Sequence, residues 1–158
     1  MATKRDGERY LGEALHVPLS PDGQVAAYVW PVRILNIAGK GCGGPTIGVD
    51  VGNEEVLRFD CHANRGHWHG GGYDRSGIPR NSHRDFPEGV AGIEDQIAWS
   101  LKHLSGKTKE LLEEAEYAQA AETLLPSMLQ SAIKTISLHL EHQGDLRGKA
   151  IRDNLIEP

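Results

Sequence analysis

The chain lacks most of the features that assign a sequence to a functional class at once. Its 158 residues include only two cysteines, Cys42 and Cys61. They do not form a CxxC pair, the common signature of redox and zinc sites. No segment approaches the ~20 apolar residues of a membrane span, and none near Met1 has the apolar length of a signal peptide. The expected protein is soluble and cytoplasmic, with reduced thiols and no membrane association.

The chain also lacks a basic excess. It has 17 basic and 22 acidic residues, a formal net charge of −5, whereas autonomous binding to a phosphate backbone needs a basic face. A local basic patch stays open, because five arginines fall within 27 residues: Arg58, Arg65, Arg75, Arg80 and Arg84.

Internal repeats and low-complexity tracts are absent as well. The composition, 39% hydrophobic and 25% charged, is that of an ordinary globular protein, and the length matches one domain. We therefore predict a single domain over residues 1–158, with residues 1–90 mainly in strands and loops and residues 91–158 mainly helical.

Strand signals fill the first part of the chain. Alternation or β-branched and aromatic enrichment predicts strands over residues 15–19, 24–37, 46–51, 55–60 and 66–69. Gly52-Asn53 predicts a tight hairpin turn of type I′ or II′ between two of them. The glycine-rich segment 39–45 is expected to be a flexible connection, and residues 70–88 a long loop that covers any site on the neighbouring strands.

Helical periodicity follows. Apolar residues at helical spacing predict helices over residues 92–104, 108–125 and 127–142, the last ended by Gly144, and a short one within 146–156. The predicted fold class is therefore α+β: an antiparallel sheet of three to five strands followed by three or four C-terminal helices.

What the sequence does have is a cluster of histidines. Four of the eight fall within 22 residues, after the strand predicted to end at Asp60. His67 and His69 are two residues apart, so on a strand their side chains share one face and can converge on one ion. Imidazole with a thiolate or carboxylate suits zinc and other transition metals. The predicted ligands are His62, His67, His69, Asp74 and His83; the alternative is a surface strand whose histidines are solvated.

Metal-free acid–base chemistry is a second interpretation of the same residues. A histidine with a carboxylate can move a proton to and from a ribose hydroxyl while an arginine stabilises the charge that develops on phosphorus. Arg58 and Asp60 share one face of their predicted strand. The predicted catalytic residues are Arg58, Asp60, His67 and His69. The alternative is that Arg58 and Asp60 form a surface ion pair of little energetic consequence.

The segment Glu55-Val56-Leu57-Arg58-Phe59-Asp60, followed by Gly66-His67-Trp68-His69, resembles TumE-type toxins of toxin–antitoxin pairs and related small bacterial domains. In that group a strand ending in LRYDN or LRFD precedes a short turn and a G-x-H-x-H-like segment. The resemblance spans about residues 45–104 and places Arg58, Asp60, His67 and His69 at the matching positions. Cys61-His62 stands where such toxins tend to have Asn, and the helical region after Leu104 is additional.

Three functions remain open on these grounds. The resemblance implies a small bacterial protein that acts on or binds RNA or nucleotide, with an antitoxin as its partner. The histidine cluster suits a transition-metal-binding accessory subunit of a larger complex, with zinc as one candidate ion. The helices suit a non-catalytic protein-interaction module.

Overall fold

The strands occupy the first part of the chain and the helices the second. A computed structural model describes residues 7–71 and 83–158. In these residues the strands are β1 (Arg9–Leu11), β2 (Leu15–Pro18), β3 (Val25–Ile37), β4 (Lys40–Val51), β5 (Glu54–Asp60), β6 (His67–His69) and β7 (His83–Arg84). The helices are α1 (Ile93–Glu114), α2 (Ala118–Glu122), α3 (Pro126–Gln143) and α4 (Leu146–Arg152).

All seven described strands belong to one antiparallel sheet. Its order is β1-β3-β4-β5-β6-β7, and β2 also pairs with β3. The α+β class is confirmed, whereas the predicted count of three to five strands is too low. The two missed strands, β1 and β7, have three and two residues. Segments this short are held by their neighbours in the sheet and carry no periodic signal of their own.

The glycine-rich segment 39–45 is not a flexible connection. From Lys40 onward it belongs to β4 and pairs with the last residues of β3, for example Gly43 with Ile34. A Cβ atom on Gly43 would collide with the carbonyl oxygen of Arg33, and one on Gly41 with that of Leu155. These glycines therefore permit close backbone approach within an ordered strand.

The β4–β5 hairpin has the predicted turn. Of its two turn residues, Gly52 and Asn53, only Gly52 has a positive φ, 60°. This is the pattern of a type II′ turn, whose backbone twist suits antiparallel strands. The turn places β5, and with it Arg58 and Asp60, beside β4 in a defined register that pairs Thr46 with Asp60.

The first helix is longer than predicted. A break was expected between residues 104 and 108, but α1 continues through Gly106 to Glu114, and the chain turns at Glu116 with a φ of 67°. Gly106 costs an exposed helix only about 1 kcal/mol, less than is gained by burying the apolar residues beyond it, such as Leu111 and Leu112.

The helices cover one face of the sheet. α1 packs against β4 and β5, and α3 packs against β2 and β3. The buried cluster includes Leu57, Phe59, Trp68, Leu104, Leu112 and Ile136. A smaller cluster joins β3 to α4 and the residues after it: Val32, Ile34, Ala150 and Ile156. Among the described residues, no helix combines the length and the apolarity that crossing a membrane requires.

Candidate functional site

A fully buried carboxylate organises the polar side of β5. Asp60 is 0% exposed. Its Oδ1 atom accepts hydrogen bonds from Thr46 Oγ1 at 2.9 Å and Arg33 Nη1 at 3.2 Å, and its Oδ2 atom accepts one from Arg58 Nε at 3.0 Å. Burial by itself raises the pKa of Asp60, but the charges of Arg58 and Arg33 outweigh it and hold the pKa well below its ordinary range. Asp60 is therefore an anion at neutral pH.

The two arginines extend this contact into a line of alternating charges. The carboxylate of Glu8 accepts hydrogen bonds from Arg33 Nε at 2.7 Å and from Arg33 Nη2 at 2.5 Å. At the other end of the line, the carboxylate of Glu55 accepts a hydrogen bond from Arg58 Nη1 at 3.2 Å. The order Glu8–Arg33–Asp60–Arg58–Glu55 gives each buried arginine two carboxylates. Such a network holds its members in fixed positions because losing one member leaves its neighbours buried without compensation.

Three histidines lie beside this carboxylate. In the sheet register, His67 pairs with Asp60, His69 with Arg58, and His83 with His69. The three imidazoles each offer a nitrogen, and these nitrogens lie within 4.8 Å of one another. Asp60 Oδ2 is 3.3 Å from His67 Nε2 and 3.8 Å from His69 Nε2. The predicted common face of His67 and His69 is present, and β7 adds His83 from the next strand.

The hydrogen-bond partners of His67 leave one nitrogen for a cation. His67 Nδ1 lies 3.0 Å from the carbonyl oxygen of Arg65, which can only accept, so Nδ1 donates. If Nδ1 carries the only ring proton, the Nε2 lone pair faces the Asp60 carboxylate at 3.3 Å. Two lone pairs in this position require a proton or a metal ion between them.

His69 has the opposite arrangement. Arg58 Nη2 donates to His69 Nε2 at 3.0 Å, since a guanidinium has no acceptor. Burial, and next the charge of Arg58, lower the pKa of His69 to about 3. The ring is therefore neutral at physiological pH, with its proton on Nδ1.

Two other predicted ligands stand apart from the three-histidine group. His62 is buried and its Nε2 atom lies 3.3 Å from Thr46 Oγ1 and 3.8 Å from Asp60 Oδ1. It contacts the same carboxylate from the other oxygen, on the side away from His67 and His69. Asp74 lies outside the residues that the structure describes, as do residues 72–82 of the predicted loop.

Sequence reasoning missed the residue that shapes the turn between β5 and β6. Gln96 of α1 is buried, and its side-chain amide bonds both backbone groups of Ala63: Oε1 accepts from the N–H at 3.0 Å and Nε2 donates to the carbonyl at 2.9 Å. Ala63 has a φ of 58°. A polar residue beside the apolar stripe of α1 was the available signal.

Comparison with known proteins adds family membership without a chemical assignment. The family model described as Domain of unknown function (DUF7700) matches residues 27–140, which is most of the chain and includes β5, β6 and β7. The chain belongs to this family. No curated protein and no solved structure matches it. The resemblance of this DUF7700 chain to TumE-type toxins stays a prediction.

Acid should destabilise the DUF7700 chain through two histidines. Burial, the largest influence in both cases, lowers the pKa of His62 to about 4 and that of His69 to about 3, against ~6.5 for an exposed histidine. From about pH 6.5 down to about pH 4 the unfolded chain therefore binds more protons than the folded one. We expect the free energy of unfolding to fall there by about 1 kcal/mol per pH unit for each ring.

Urea unfolding at about pH 7, 6 and 5 measures this slope. The variant His142→Ala is the matched control, because His142 is exposed near the end of α3, and it should keep the slope of the wild type. A free energy of unfolding that stays constant over the same interval would contradict the burial of neutral imidazoles.

Proposed function

We propose that the chain binds a divalent transition-metal ion, zinc foremost, through His67, His69 and His83. The observation that carries the proposal is the convergence of three imidazole nitrogens within 4.8 Å on two adjacent strands. Two ligand nitrogens of one tetrahedral zinc are roughly 3.4 Å apart, so modest ring movements close the site. Three protein nitrogens leave one coordination position for an external ligand.

Of the three proposed ligands, His83 has to move for the nitrogens to meet at one ion, and its side chain has room to move. His83 is stacked on His67, with ring centroids 4.6 Å apart and planes at 19°. The lone pairs of parallel rings cannot meet at one point. The side chain of His83 is 46% exposed, so it can turn its nitrogen toward the ion, whereas β5 and β6 hold the other two rings.

The surroundings of His67 support coordination through Nε2. The bond from Nδ1 to the Arg65 carbonyl fixes the ring and its tautomer, as outer hydrogen bonds do in known metal sites. The Asp60 carboxylate, 3.3 Å from Nε2, supplies negative charge next to the ion. Its charge balances part of the positive charge that the ion adds.

Arg58 limits the affinity. It donates to the one lone pair of the neutral His69 ring at 3.0 Å, so the ion has to displace that hydrogen bond or the ring has to change its tautomer. We therefore expect tighter binding by His67 and His83, with His69 completing the site.

Elemental analysis tests the proposal. We expect about one equivalent of transition metal in the untagged chain, lost in His67→Ala and in His83→Ala. His142→Ala removes an exposed imidazole elsewhere and should leave the metal content unchanged. Added zinc should raise the melting temperature of the wild type and not of His67→Ala, since a ligand of the native state stabilises it.

A protein without metal, before and after incubation with zinc, would refute this function. The second candidate would then be action on RNA or nucleotide, which the pairing of His67 with Asp60 favours: a histidine whose Nε2 lies 3.3 Å from a buried carboxylate is held for proton transfer. In that chemistry Asp60 orients the His67 ring at Nε2, and Nδ1 exchanges the Arg65 carbonyl for the substrate and transfers the proton there. RNA cleavage or growth arrest that is lost in His67→Ala would support this second function. If neither activity is found, the function left is that of a protein-interaction module.

A further inference from the structure

A cavity of about 640 Å³ opens between the start of α1 and the end of α3. Because α1 packs against β4 and β5 while α3 packs against β2 and β3, the two helices leave part of the β3–β4 surface between them uncovered. The volume is within the range of roughly 300–1,000 Å³ that small-molecule pockets occupy. Among the described residues that line the cavity, none is a proposed metal ligand or a member of the charge line around Asp60.

The walls and the floor of this cavity are mainly apolar. The apolar side chains belong to α1, to α3 and to the two strands beneath the helices: Ile93, Ile97, Ala98, Leu101, Leu140, Pro31 and Pro45. Ile97 and Leu140 are only partly buried by the fold itself. Apolar surface is thus left for a ligand to cover, which is the main source of affinity in small-molecule sites.

The cavity offers few hydrogen-bond donors. Pro31 lies where the pairing of β3 with β4 is interrupted, and Pro45 lies opposite it on β4. Proline has no N–H group, so neither residue can donate. Among the described side chains at the wall, only Ser137 and Arg147 can donate, and Arg147 directs its Nε to the carbonyl of Gly43 at 2.9 Å. A ligand that accepts hydrogen bonds therefore finds few partners here.

Acceptors of negative charge are more numerous at the same wall. Glu94, Glu141 and Asp145 line the cavity, and all three are exposed. Asp145 already accepts a hydrogen bond from the backbone N–H of Gly148 at 2.8 Å. Glu94 and Glu141 form no ion pair or side-chain hydrogen bond with any described residue. These two carboxylates are complementary to a positively charged donor.

The helix ends at the cavity do not cancel this negative charge. α3 ends at Gln143, so its last carbonyl groups, which carry a partial negative charge, lie beside the cavity. α1 begins at Ile93 with the opposite partial charge, but its first turn carries two carboxylates of its own, Glu94 and Asp95. The polar end of the cavity therefore favours a cation.

We propose that this cavity binds a small amphipathic cation, with its apolar body against Ile97, Leu101 and Leu140 and its ammonium group at Glu94 and Glu141. An ammonium group has donors and no acceptor, which matches a wall that accepts and hardly donates. The proposal is independent of the metal ion, since no ligand of that ion lines the cavity.

Calorimetric titration of the full chain with three ligands that share one apolar body tests the proposal. The ligands are 4-phenylbutylamine, 4-phenylbutan-1-ol and 4-phenylbutanoate, which are positive, neutral and negative at about pH 7. We expect the amine to bind at least about tenfold more tightly than the alcohol, as charge-assisted hydrogen bonds allow, and the carboxylate to bind most weakly. Added salt should weaken binding of the amine and not of the alcohol.

Substitutions locate the binding site. Glu94→Gln and Glu141→Gln should each weaken binding of the amine about threefold or more and leave that of the alcohol unchanged. Glu113→Gln is the matched control on α1, since Glu113 is exposed and does not line the cavity. Ala98→Trp places a large ring in the cavity from an exposed position, and it should weaken all binding about tenfold or more. His83→Ala should bind the amine normally.

Three outcomes would overturn the proposal. The first is no heat of binding with the amine. The second is equal affinity for amine and alcohol, which would mean that the carboxylates take no part. The third is unchanged binding in Ala98→Trp, which would place the ligand elsewhere. The comparison of the three ligands uses the unaltered chain, so it stands even where a substitution prevents folding.

Discussion

Asp60→Asn is expected to lower the free energy of unfolding by about 3–5 kcal/mol, the usual cost of breaking a buried ion pair by removing one partner. The substitution keeps the shape of the side chain and removes its charge. Arg33 and Arg58, which are 3% and 4% exposed, then each lose one of two compensating carboxylates. The amide nitrogen of Asn would also present a donor to groups that donate. Urea unfolding near neutral pH measures the loss.

Asp153→Asn is the matched control. Asp153 is exposed directly after α4 and pairs with Lys149 at 2.7 Å, the type of surface pair that contributes little to stability. Its removal should leave the urea midpoint nearly unchanged. Equal midpoints for Asp60→Asn and the wild type would contradict the central role given to the Asp60 carboxylate.

Phe59→Ala is expected to cost about 3–5 kcal/mol for a different reason, the cavity left by a large buried ring. Phe59 is 0% exposed and lies between Arg58 and Asp60, on the opposite face of β5. Its ring stacks on Trp68 at 5.5 Å and meets Trp99 and His103 edge-on at 6.1 Å. Thermal and urea unfolding should both show the loss.

Phe59→Leu serves as the control, because it keeps most of the buried volume and should lose clearly less stability. Metal content measured at low temperature, where Phe59→Ala remains folded, should match that of the wild type. A loss of metal in the folded variant would show that the two faces of β5 are coupled, against the separation of core and site described above.

The local part of the site could be predicted from the sequence. The two-residue period of a strand placed Arg58 with Asp60 on one face and His67 with His69 on one face, and Gly52-Asn53 predicted the turn that leads into β5. The structure has both pairs as predicted, because side-chain alternation and turn geometry depend on neighbouring residues.

The contacts that join distant segments could not be predicted. Arg33 and Thr46 reach Asp60 from β3 and β4, and Glu8 reaches Arg33 from the position before β1. His83 joins β6 through a strand of two residues. Gln96 reaches the β5–β6 turn from α1. None of these partners follows from spacing along the chain, since each depends on strand order and helix docking. The glycines of β4 had the composition of a loop, and only their close approach to neighbouring backbone explains them.

The alternating line Glu8–Arg33–Asp60–Arg58–Glu55 limits how the sequence can change during evolution. A change at one of these positions leaves a neighbour uncompensated, so it is selected against unless a second change arrives with it. The positions are therefore not free to drift one at a time. Across the family, whose match includes Arg33, Glu55, Arg58 and Asp60, these four should either stay as they are or be replaced in matched pairs, in the way that the two bases of a helical stem change together in RNA.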